Sequence, residues 1–401
     1  MRDYRNSVYR PAAFARRAKS LKMGNTLINI KNHSLNFAIS HKGISLEPTN
    51  PFWYKFQVVS ASFRNFLPSL EYGEHESNFF KLLTNQQQSY FEQSLQDVPK
   101  NLKVRFHGYT LQDIKARPGV IATFHSGSFR MIGHYLAKND VPFALVVSKN
   151  GMQKENELVN MKYDSQKIEH LGFNLINAND KNSLLRINRE LRDGKNILVY
   201  VDGNTGTGDD LTSRNLISIP FLNQHVKVRA GAAFISYLSK SPIYPVVSTR
   251  QWKRVPCLDF FSPILPNKEL NRQIFIEQAV SRIYKYLEKA VSKRPWQWET
   301  WLHLHAHADI VNPIAEQISE SVNTERKKKR LVRFNEEDYS FFNITGEYFL
   351  FRKRDYQCFG IERWLYRRLE QIYRKDYPFT VPLLQRNHMK DLITNRVVLE
   401  I

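Results

Sequence analysis

Cysteine is scarce in this sequence, with only Cys257 and Cys358 among 401 residues. Two isolated thiols build neither a disulfide framework nor a cysteine-based zinc cluster, so we expect a reducing compartment. No run of about 18 apolar residues occurs, which argues against a transmembrane helix. The first residues also lack the apolar core of a secretory signal peptide. The sequence therefore predicts a cytoplasmic protein whose contact with a membrane, such as the inner membrane face, is at most peripheral.

Acidic residues are few relative to basic ones, with 38 Asp and Glu against 59 Lys and Arg and a net charge of +21. Such an excess favours a polyanionic partner, which is nucleic acid, an anionic membrane surface or a phosphorylated ligand. The denser basic patches, at residues 2–22 and 326–333, carry no recognisable DNA-binding motif. Nucleic acid is therefore the least favoured partner, and an ordinary basic surface explains either patch equally well. Residues 9–23 mix basic and apolar side chains and weakly resemble a helix lying on a membrane surface.

Short apolar runs alternate with helical patterns through the middle of the chain. The predicted strands are residues 103–106, 120–124, 141–148, 174–176, 196–201 and 243–250. The predicted helices are residues 74–95, 109–115, 155–171, 182–192, 230–238 and 274–291. Strands alternating with helices are typical of βαβ units. We therefore predict an α/β fold with a largely parallel central sheet flanked by helices.

The composition divides the chain into four parts. Residues 1–64 read as an irregular, basic and aromatic segment, residues 65–312 as the α/β domain, residues 313–330 as a charged linker, and residues 331–401 as a small C-terminal α+β module. In this module, strand patterns precede helical ones, as in winged-helix modules that bind precursor peptides. The alternative is an appendage that only stabilises the α/β domain.

His125 is the most informative single residue. It follows the apolar run at residues 120–124 and precedes a helical pattern at residues 129–136, for which Ser128 is a suitable N-cap. Open α/β sheets place their active sites at the carboxyl ends of strands. A neutral imidazole there can take a proton from an alcohol or an amine. The position predicts that His125 is a catalytic base.

A second strand end carries a carboxylate. The apolar run at residues 197–201 leads into Asp202, which is followed by Gly203, Asn204 and Thr205. A carboxylate in this place can orient an imidazole, and the backbone of the glycine-rich loop can approach an oxyanion or a phosphate. The simpler interpretation is that Asp202 only caps its own turn.

Arg229 stands at the start of the predicted helix at residues 230–238. An arginine at a helix N-terminus is well placed to bind an anion, because its charge adds to the helix dipole and to the unpaired backbone N–H groups. Taken alone, Arg229 could equally face solvent.

These segments, in this order, resemble the lipid A biosynthesis acyltransferases within the lysophospholipid and glycerolphosphate acyltransferase superfamily. The matching residues are 120–129, 201–203, 219–233, 242–246 and the closing Pro-x-Gln segment at 295–303. The resemblance implies acyl transfer from a thioester, carried as acyl-CoA or as the acyl-phosphopantetheine of acyl carrier protein. It implies no metal and no permanently bound cofactor.

The resemblance also implies roles for individual residues. His125 would be the general base, and the N–H groups of Ser126, Gly127 and Ser128 would stabilise the oxyanion that forms on the thioester carbonyl. Arg229 would contact a phosphate of the donor or of the acceptor. The acceptor would offer a hydroxyl or an amine and would be a lipid, a peptide or another natural product.

One position departs from the family pattern, which has Asp or Glu five residues after the histidine. Here that residue is Arg130, and a nearby cation lowers the pKa of a histidine. Either Asp202, Asp209 or Asp210 supplies the missing carboxylate, or the mechanism differs, with Arg130 a part of it, or activity is lost. The rival to an enzyme is therefore an inactive protein of the same fold that binds an acyl or carrier-protein partner.

Three alternating histidines lie near the end of the matched region. His303, His305 and His307 would share one face of a strand, which is a pattern that zinc sites use. Only Asp309 stands nearby as a further ligand. A polar strand end beside the active site is the favoured interpretation, and we predict no metal site.

Overall fold

The structure is a computed structural model that describes ten segments of the chain. They are residues 8–9, 46–93, 98–148, 174–203, 216–251, 255–267, 269–311, 331–374, 379–380 and 386–400. The predicted helix at residues 155–171, the predicted linker and the site candidates Asn204 and Thr205 lie outside these segments, as do Asp209 and Asp210.

Helices and strands alternate along the described segments as the sequence predicts. The helices are α1 (Trp53–Phe66), α2 (Tyr72–Gln93), α3 (Leu111–Ala116), α4 (Met131–Lys138), α5 (Ser183–Arg192), α6 (Gly231–Ser239), α7 (Arg272–Val291), α8 (Arg363–Tyr373) and α9 (Arg386–Thr394). None of these helices combines the length and the apolar character that crossing a membrane requires.

The strands belong to four sheets. They are β1 (Val8–Tyr9), β2 (Lys103–Phe106), β3 (Val120–Thr123), β4 (Phe143–Val147), β5 (Asn174–Asn177), β6 (Asn196–Tyr200), β7 (Leu216–Phe221), β8 (Gln224–Arg229), β9 (Ile243–Arg250), β10 (Pro256–Phe260), β11 (Ala308–Asp309), β12 (Leu331–Phe334), β13 (Tyr339–Ile344), β14 (Glu347–Arg352), β15 (Gln357–Gly360), β16 (Phe379–Thr380) and β17 (Val398–Glu400).

The central sheet has seven strands in the order β2-β10-β9-β3-β6-β4-β5. The five strands from β9 to β5 are parallel, whereas β10 is antiparallel to β9, and β2 follows the direction of β10. The predicted α/β fold with a largely parallel sheet is confirmed. The sequence did not reveal β10, because its short Pro-Cys-Leu-Asp-Phe run carries a charge in the middle and starts with proline, which strands tolerate at their first residue.

Both faces of the central sheet are covered by packed side chains. Successive residues of a strand point to opposite faces, and in β3 Val120 and Ala122 join one core cluster while Ile121 joins the other. Helix α7 contributes apolar side chains such as Ile283 to the first cluster, and α4 contributes Leu136 to the second. Burial on both faces explains why β3 reads as a continuous apolar run.

The matched block at residues 219–233 begins as a hairpin. Strands β7 and β8 pair antiparallel, β11 joins the far side of β8, and Leu222 in the turn has a φ of +53°. The sequence predicted only the helix that follows. The alternation in β8, with inward Val226 and Val228 around exposed Lys227, is the signal that could have identified it.

The N-terminal segment contains a helix, so the expectation that residues 1–64 are irregular is wrong for residues 53–64. Helix α1 is rich in aromatic and β-branched residues and has no side-chain cap at its N-terminus. Burial on most of its faces stabilises it instead, since packing overrides propensity. The Trp53 indole donates to the Phe341 carbonyl oxygen at 2.8 Å, and the Asn65 amide donates to the Lys353 carbonyl oxygen at 2.9 Å.

The C-terminal residues, together with β1 from the N-terminal segment, form two antiparallel sheets with α8 and α9 beside them. One sheet has the order β1-β15-β14-β13 and the other has the order β16-β12-β17. Strand β13, which the sequence did not reveal, pairs with all of β14. These elements do not confirm a winged-helix arrangement, and the domain boundaries stay predictions.

Candidate active site

Two neighbouring strands bring His125 and Asp202 together. In the β3–β6 pairing Thr123 lies opposite Tyr200, and each chain continues two residues beyond that pair. His125 Nδ1 therefore lies 2.8 Å from Asp202 Oδ1, and the His125 backbone N–H contacts both carboxylate oxygens at 3.0 and 3.2 Å. The carboxylate orients the imidazole through Nδ1 and leaves Nε2 directed away from it, as an acid–base histidine requires.

The Asp202 carboxylate is fixed by further donors. The Trp298 indole donates to Asp202 Oδ2 at 2.8 Å, and the Thr300 hydroxyl donates to the same oxygen at 2.9 Å. The side chain of Asp202 is only 1% exposed. Burial raises the pKa of Asp202, but His125 and the Trp298 hydrogen bond together hold it below its usual range. Apart from their place in the segment 295–303, no sequence pattern indicated a role for Trp298 and Thr300.

The charge of His125 is set by opposing effects. Burial lowers the pKa of His125, while the charge and the hydrogen bond of Asp202 raise it and Glu299 raises it further. Arg130 lowers it, as the sequence predicts, yet the net pKa lies above the ordinary value for histidine. Asp202 thus supplies what residue 130 does not, and the imidazole is a stronger base than a free one.

Aromatic rings surround the imidazole, whose side chain is 31% exposed. The Tyr200 ring stacks on it at 4.7 Å between centroids, and the Phe129 ring meets it edge-on at 5.0 Å. The Arg130 guanidinium lies over the rings of Tyr90 and Phe129, at 4.6 and 4.8 Å. Arg130 therefore packs on aromatic faces beside the histidine.

The loop after His125 is tightly folded against β9. Gly127 has a φ of +56°, and a Cβ at this residue would lie 2.6 Å from Thr249 Cα. The Gly127 N–H donates to the Gln297 carbonyl oxygen and the Ser126 N–H donates to the Phe124 carbonyl oxygen, both at 2.8 Å. The expectation that Ser126 and Gly127 offer their N–H groups to an oxyanion is corrected by these bonds, because both groups are engaged within the protein.

Ser128 also differs from its expected place. Helix α4 begins at Met131 with Arg130 as its N-cap, and no side chain caps it. The Ser128 hydroxyl donates instead to Glu92 Oε1 on α2 at 2.9 Å. This hydrogen bond anchors the loop to α2, and the prediction that Ser128 is the N-cap of the helix is wrong.

A buried polar network lies behind this loop and was not anticipated from the sequence. The Arg250 guanidinium contacts both oxygens of Glu92, at 2.7 and 3.0 Å, and also donates to the Asn85 side chain. The Gln297 amide exchanges hydrogen bonds of 2.7 and 2.8 Å with the backbone of Arg250. Because Gln297 also accepts from Gly127, the network ties α2, β9 and the segment 295–303 to the histidine loop.

Two other predicted site residues, Gly203 and Arg229, lie where the predicted strands and helices place them. Gly203 lies beside the imidazole, since a Cβ built there would be 3.9 Å from His125 Cε1. Arg229 ends β8 opposite Leu216 and stands two residues before α6. Its contact with a phosphate stays a prediction.

The three alternating histidines do not lie on a strand. His303 lies between two consecutive 3₁₀ turns, Glu299–Leu302 and Leu304–Ala306, while His305 is in the second turn and His307 follows it. Within the described segments, no group of three or more metal-ligating side chains could hold an ion. Burial lowers the pKa of His305 to about 3, so this ring is neutral at physiological pH.

The chain belongs to the bacterial lipid A biosynthesis acyltransferases, whose family model matches residues 99–305. The match contains His125, Asp202 and the segment 295–303, and it confirms the family that the motif order indicates. Among solved structures, the 1-acyl-sn-glycerophosphate (LPA) acyltransferase PlsC from Thermotoga maritima is similar at 14% identity and a TM-score of 0.27, over 58% of this chain and 95% of that one. None of the curated proteins compared with the chain matches it.

Proposed function

We propose that this acyltransferase takes an acyl group from a thioester, as acyl-CoA or acyl carrier protein, with His125 as the general base. The acceptor is a hydroxyl or an amine of a lipid, a peptide or another natural product. The observation that carries the proposal is the 2.8 Å contact between His125 Nδ1 and Asp202 Oδ1 at the carboxyl edge of the sheet. The same pairing recurs on unrelated folds wherever a histidine removes a proton from a nucleophile.

The reaction assigns one task to each ring nitrogen. Nε2 takes the proton of the acceptor as its oxygen or nitrogen attacks the thioester carbonyl, and Asp202 stabilises the imidazolium that results. The tetrahedral intermediate then expels the thiolate, which receives that proton from Nε2. Because the N–H groups of Ser126 and Gly127 are engaged, Ser128, Asn204 and Thr205 remain as proposed contacts for the oxyanion.

The charge of the protein suits the proposed partners. A net charge of +21 favours the phosphates of CoA or phosphopantetheine and the anionic surface of a membrane. We place Arg229 on one of these phosphates and the protein in the cytoplasm, peripheral to the inner membrane face. Nucleic acid is not part of the proposal.

The proposal is tested by measuring thiol release and acyl transfer from long-chain acyl-CoA and acyl carrier protein. His125→Ala should reduce transfer by about 10³-fold or more, because the reaction loses its base. His107→Ala is the matched control and should retain activity, since His107 follows β2, which runs antiparallel to β3 and ends at the opposite edge of the sheet. Undiminished transfer by His125→Ala would refute the mechanism.

The alternative function is binding of an acyl or carrier-protein partner without turnover. The observation that suggests it is Arg130, which stands where the family pattern has Asp or Glu. The contact between Asp202 and His125 argues against it, because a carboxylate is present on the imidazole after all. Tight binding of acyl-CoA with no transfer to any acceptor would favour this alternative.

A further inference from the structure

We propose that Glu299 is a positioning residue of the site, a second carboxylate that balances the positive charge of Arg130 beside His125. The inference deepens the proposed function and concerns the same imidazole. It rests on where the chain places Glu299, on what its side chain contacts and on its burial.

The backbone delivers Glu299 directly to the histidine loop. Ser126 and Trp298 form an antiparallel bridge, and the Glu299 N–H donates to the His125 carbonyl oxygen at 2.9 Å. The residues on both sides of Glu299, Trp298 and Thr300, hold the Asp202 carboxylate. One short segment therefore fixes Asp202 and places a second acid next to the same histidine.

Helix α2 places Glu299 and Arg130 on one side of the site. Gln86 Nε2 donates to Glu299 Oε2 at 3.3 Å, and the Tyr90 ring lies under the Arg130 guanidinium at 4.6 Å. Gln86 and Tyr90 are four residues apart and so share a face of the helix. The carboxylate and the guanidinium are held by adjacent turns of the same face.

Burial makes this carboxylate depend on its charged neighbours. Glu299 is 8% exposed, and its Oε1 is buried and accepts no hydrogen bond from the described residues. A buried carboxylate in that state is costly unless positive charges compensate it. His125, Arg130 and Arg250 are the cations that act on it: burial raises the pKa of Glu299, and these three lower it in part.

The charges around His125 then come in balanced pairs. The charged groups that shift the pKa of His125 are Asp202 from the loop after β6 and Glu299 from the 3₁₀ turn, which raise it, and Arg130 at the start of α4, which lowers it. Of these three groups, Asp202 and Glu299 favour the charged imidazole and Arg130 opposes it. Without Glu299, Asp202 alone would offset the charge of Arg130. Glu299 thus adds a second negative charge to that of Asp202 and offsets the positive charge of Arg130.

The test is an NMR titration of the His125 ring in the full chain, assigned by its loss in His125→Ala. Glu299→Gln keeps the shape and removes the charge, so it should lower the pKa of His125 by about one unit. Arg130→Gln should raise it, and the double variant should return close to wild type. An unchanged His125 pKa in Glu299→Gln would overturn the proposal.

Two further measurements keep the result decisive. Glu299→Asp retains the charge and should keep most of the wild-type pKa, which a purely steric role would not predict. The ¹³C signal of the Glu299 carboxyl in the wild-type protein should show an ionised group at the pH where His125 loses its proton, and a protonated group there would overturn the proposal even if Glu299→Gln does not fold. Neither titration needs substrate, so failure here is distinct from failure of the acyl-transfer proposal.

Discussion

Two regions of this protein each hold a histidine by hydrogen bonds to its ring. The pKa of the histidine is shifted upward in one region and downward in the other. His125 contacts a carboxylate, Asp202 Oδ1, at 2.8 Å. His75 on α2 contacts the Ser60 hydroxyl at 2.9 Å and the Leu70 carbonyl oxygen at 3.3 Å. The pKa of His125 is raised, whereas burial and nearby Lys353 lower that of His75 to about 3.

Lys353 extends the second region, which we call the Lys353 cluster and define as Ser60, His75 and Lys353. The Lys353 side chain is 0% exposed, and its Nζ donates to the Ser60 hydroxyl at 3.2 Å and to the Glu336 carbonyl oxygen at 2.6 Å. Burial lowers its pKa to about 7. Neutral oxygens accept hydrogen bonds from a buried cation but do not compensate for its lost hydration. A carboxylate that is hydrogen-bonded to the cation does stabilise its charge. The comparison explains why the pKa of His125 is raised while that of His75 is lowered.

Removing the carboxylate should have the largest effect. We expect Asp202→Asn to reduce acyl transfer by about 10³- to 10⁴-fold, because the imidazole loses both its orientation and its charge partner. The rate of thiol release from acyl-CoA at saturating acceptor measures this effect. Asp259→Asn is the control, since Asp259 is a buried carboxylate of the same sheet that pairs with Arg105 at 2.5 Å. Equal losses in the two variants would mean that the Asp202 effect is structural.

The Lys353 cluster should affect stability and not catalysis. The pKa of Lys353 is about 7 in the folded chain and about 10.4 in the unfolded chain, so the unfolded chain binds more protons between these values. The free energy of unfolding should therefore rise with pH through this window, by about 5 kcal/mol at most. The destabilising cost of the buried Lys353 amine should be present in full below about pH 7 and should be lost as pH rises to about 10.4.

Lys353→Met removes the titrating group and keeps an apolar chain of similar length. Urea unfolding of both proteins at neutral and alkaline pH measures the difference, with wild type gaining stability relative to the variant as pH rises. Parallel pH dependence in the two proteins would show that Lys353 stays protonated and that the contrast with His125 is wrong. Acyl transfer by the variant should match wild type.

A smaller effect on the free energy of unfolding should distinguish a glycine in the loop that carries His125 from a glycine in the helix that carries His75. Gly127→Ala forces a positive φ on alanine and puts its Cβ against the Thr249 backbone, so we expect a loss on the order of 2–3 kcal/mol together with reduced transfer. Gly73→Ala, near His75 on α2, meets nothing within 4 Å and should be neutral or slightly stabilising. Thermal and urea unfolding measure both variants, and equal midpoints would contradict the distinction.

The sequence predicted the ends of the strands better than the contacts between them. Apolar runs ending at residues 124 and 201 place His125 and Asp202 correctly, because burial on both faces leaves a continuous apolar signature. The adjacency of β3 and β6 is a long-range property of the sheet order, and no local pattern encodes it. The carboxylate therefore remained one of several candidates until the fold placed it on the imidazole.

The rest of the site was hidden for a similar reason. Trp298, Glu299 and Thr300 lie in a segment without helical or strand periodicity, so their partners depend on how the chain returns to the sheet. Helix α1 was missed because its β-branched and aromatic residues favour strands locally, and packing decides its conformation. The hydrogen bond of the Gly127 N–H likewise depends on the segment 295–303, because its acceptor is the Gln297 carbonyl oxygen.

The most direct test is the acid limb of the pH dependence of kcat/KM for acyl transfer, in wild type and in Asp202→Asn. Because the base form of His125 is active, transfer should rise with pH through the pKa of that residue. We predict a wild-type limb above the ordinary histidine value of about 6.5 and a limb shifted to lower pH in the variant. A limb that stays in place when the carboxylate is removed would contradict the claim that Asp202 makes His125 the base.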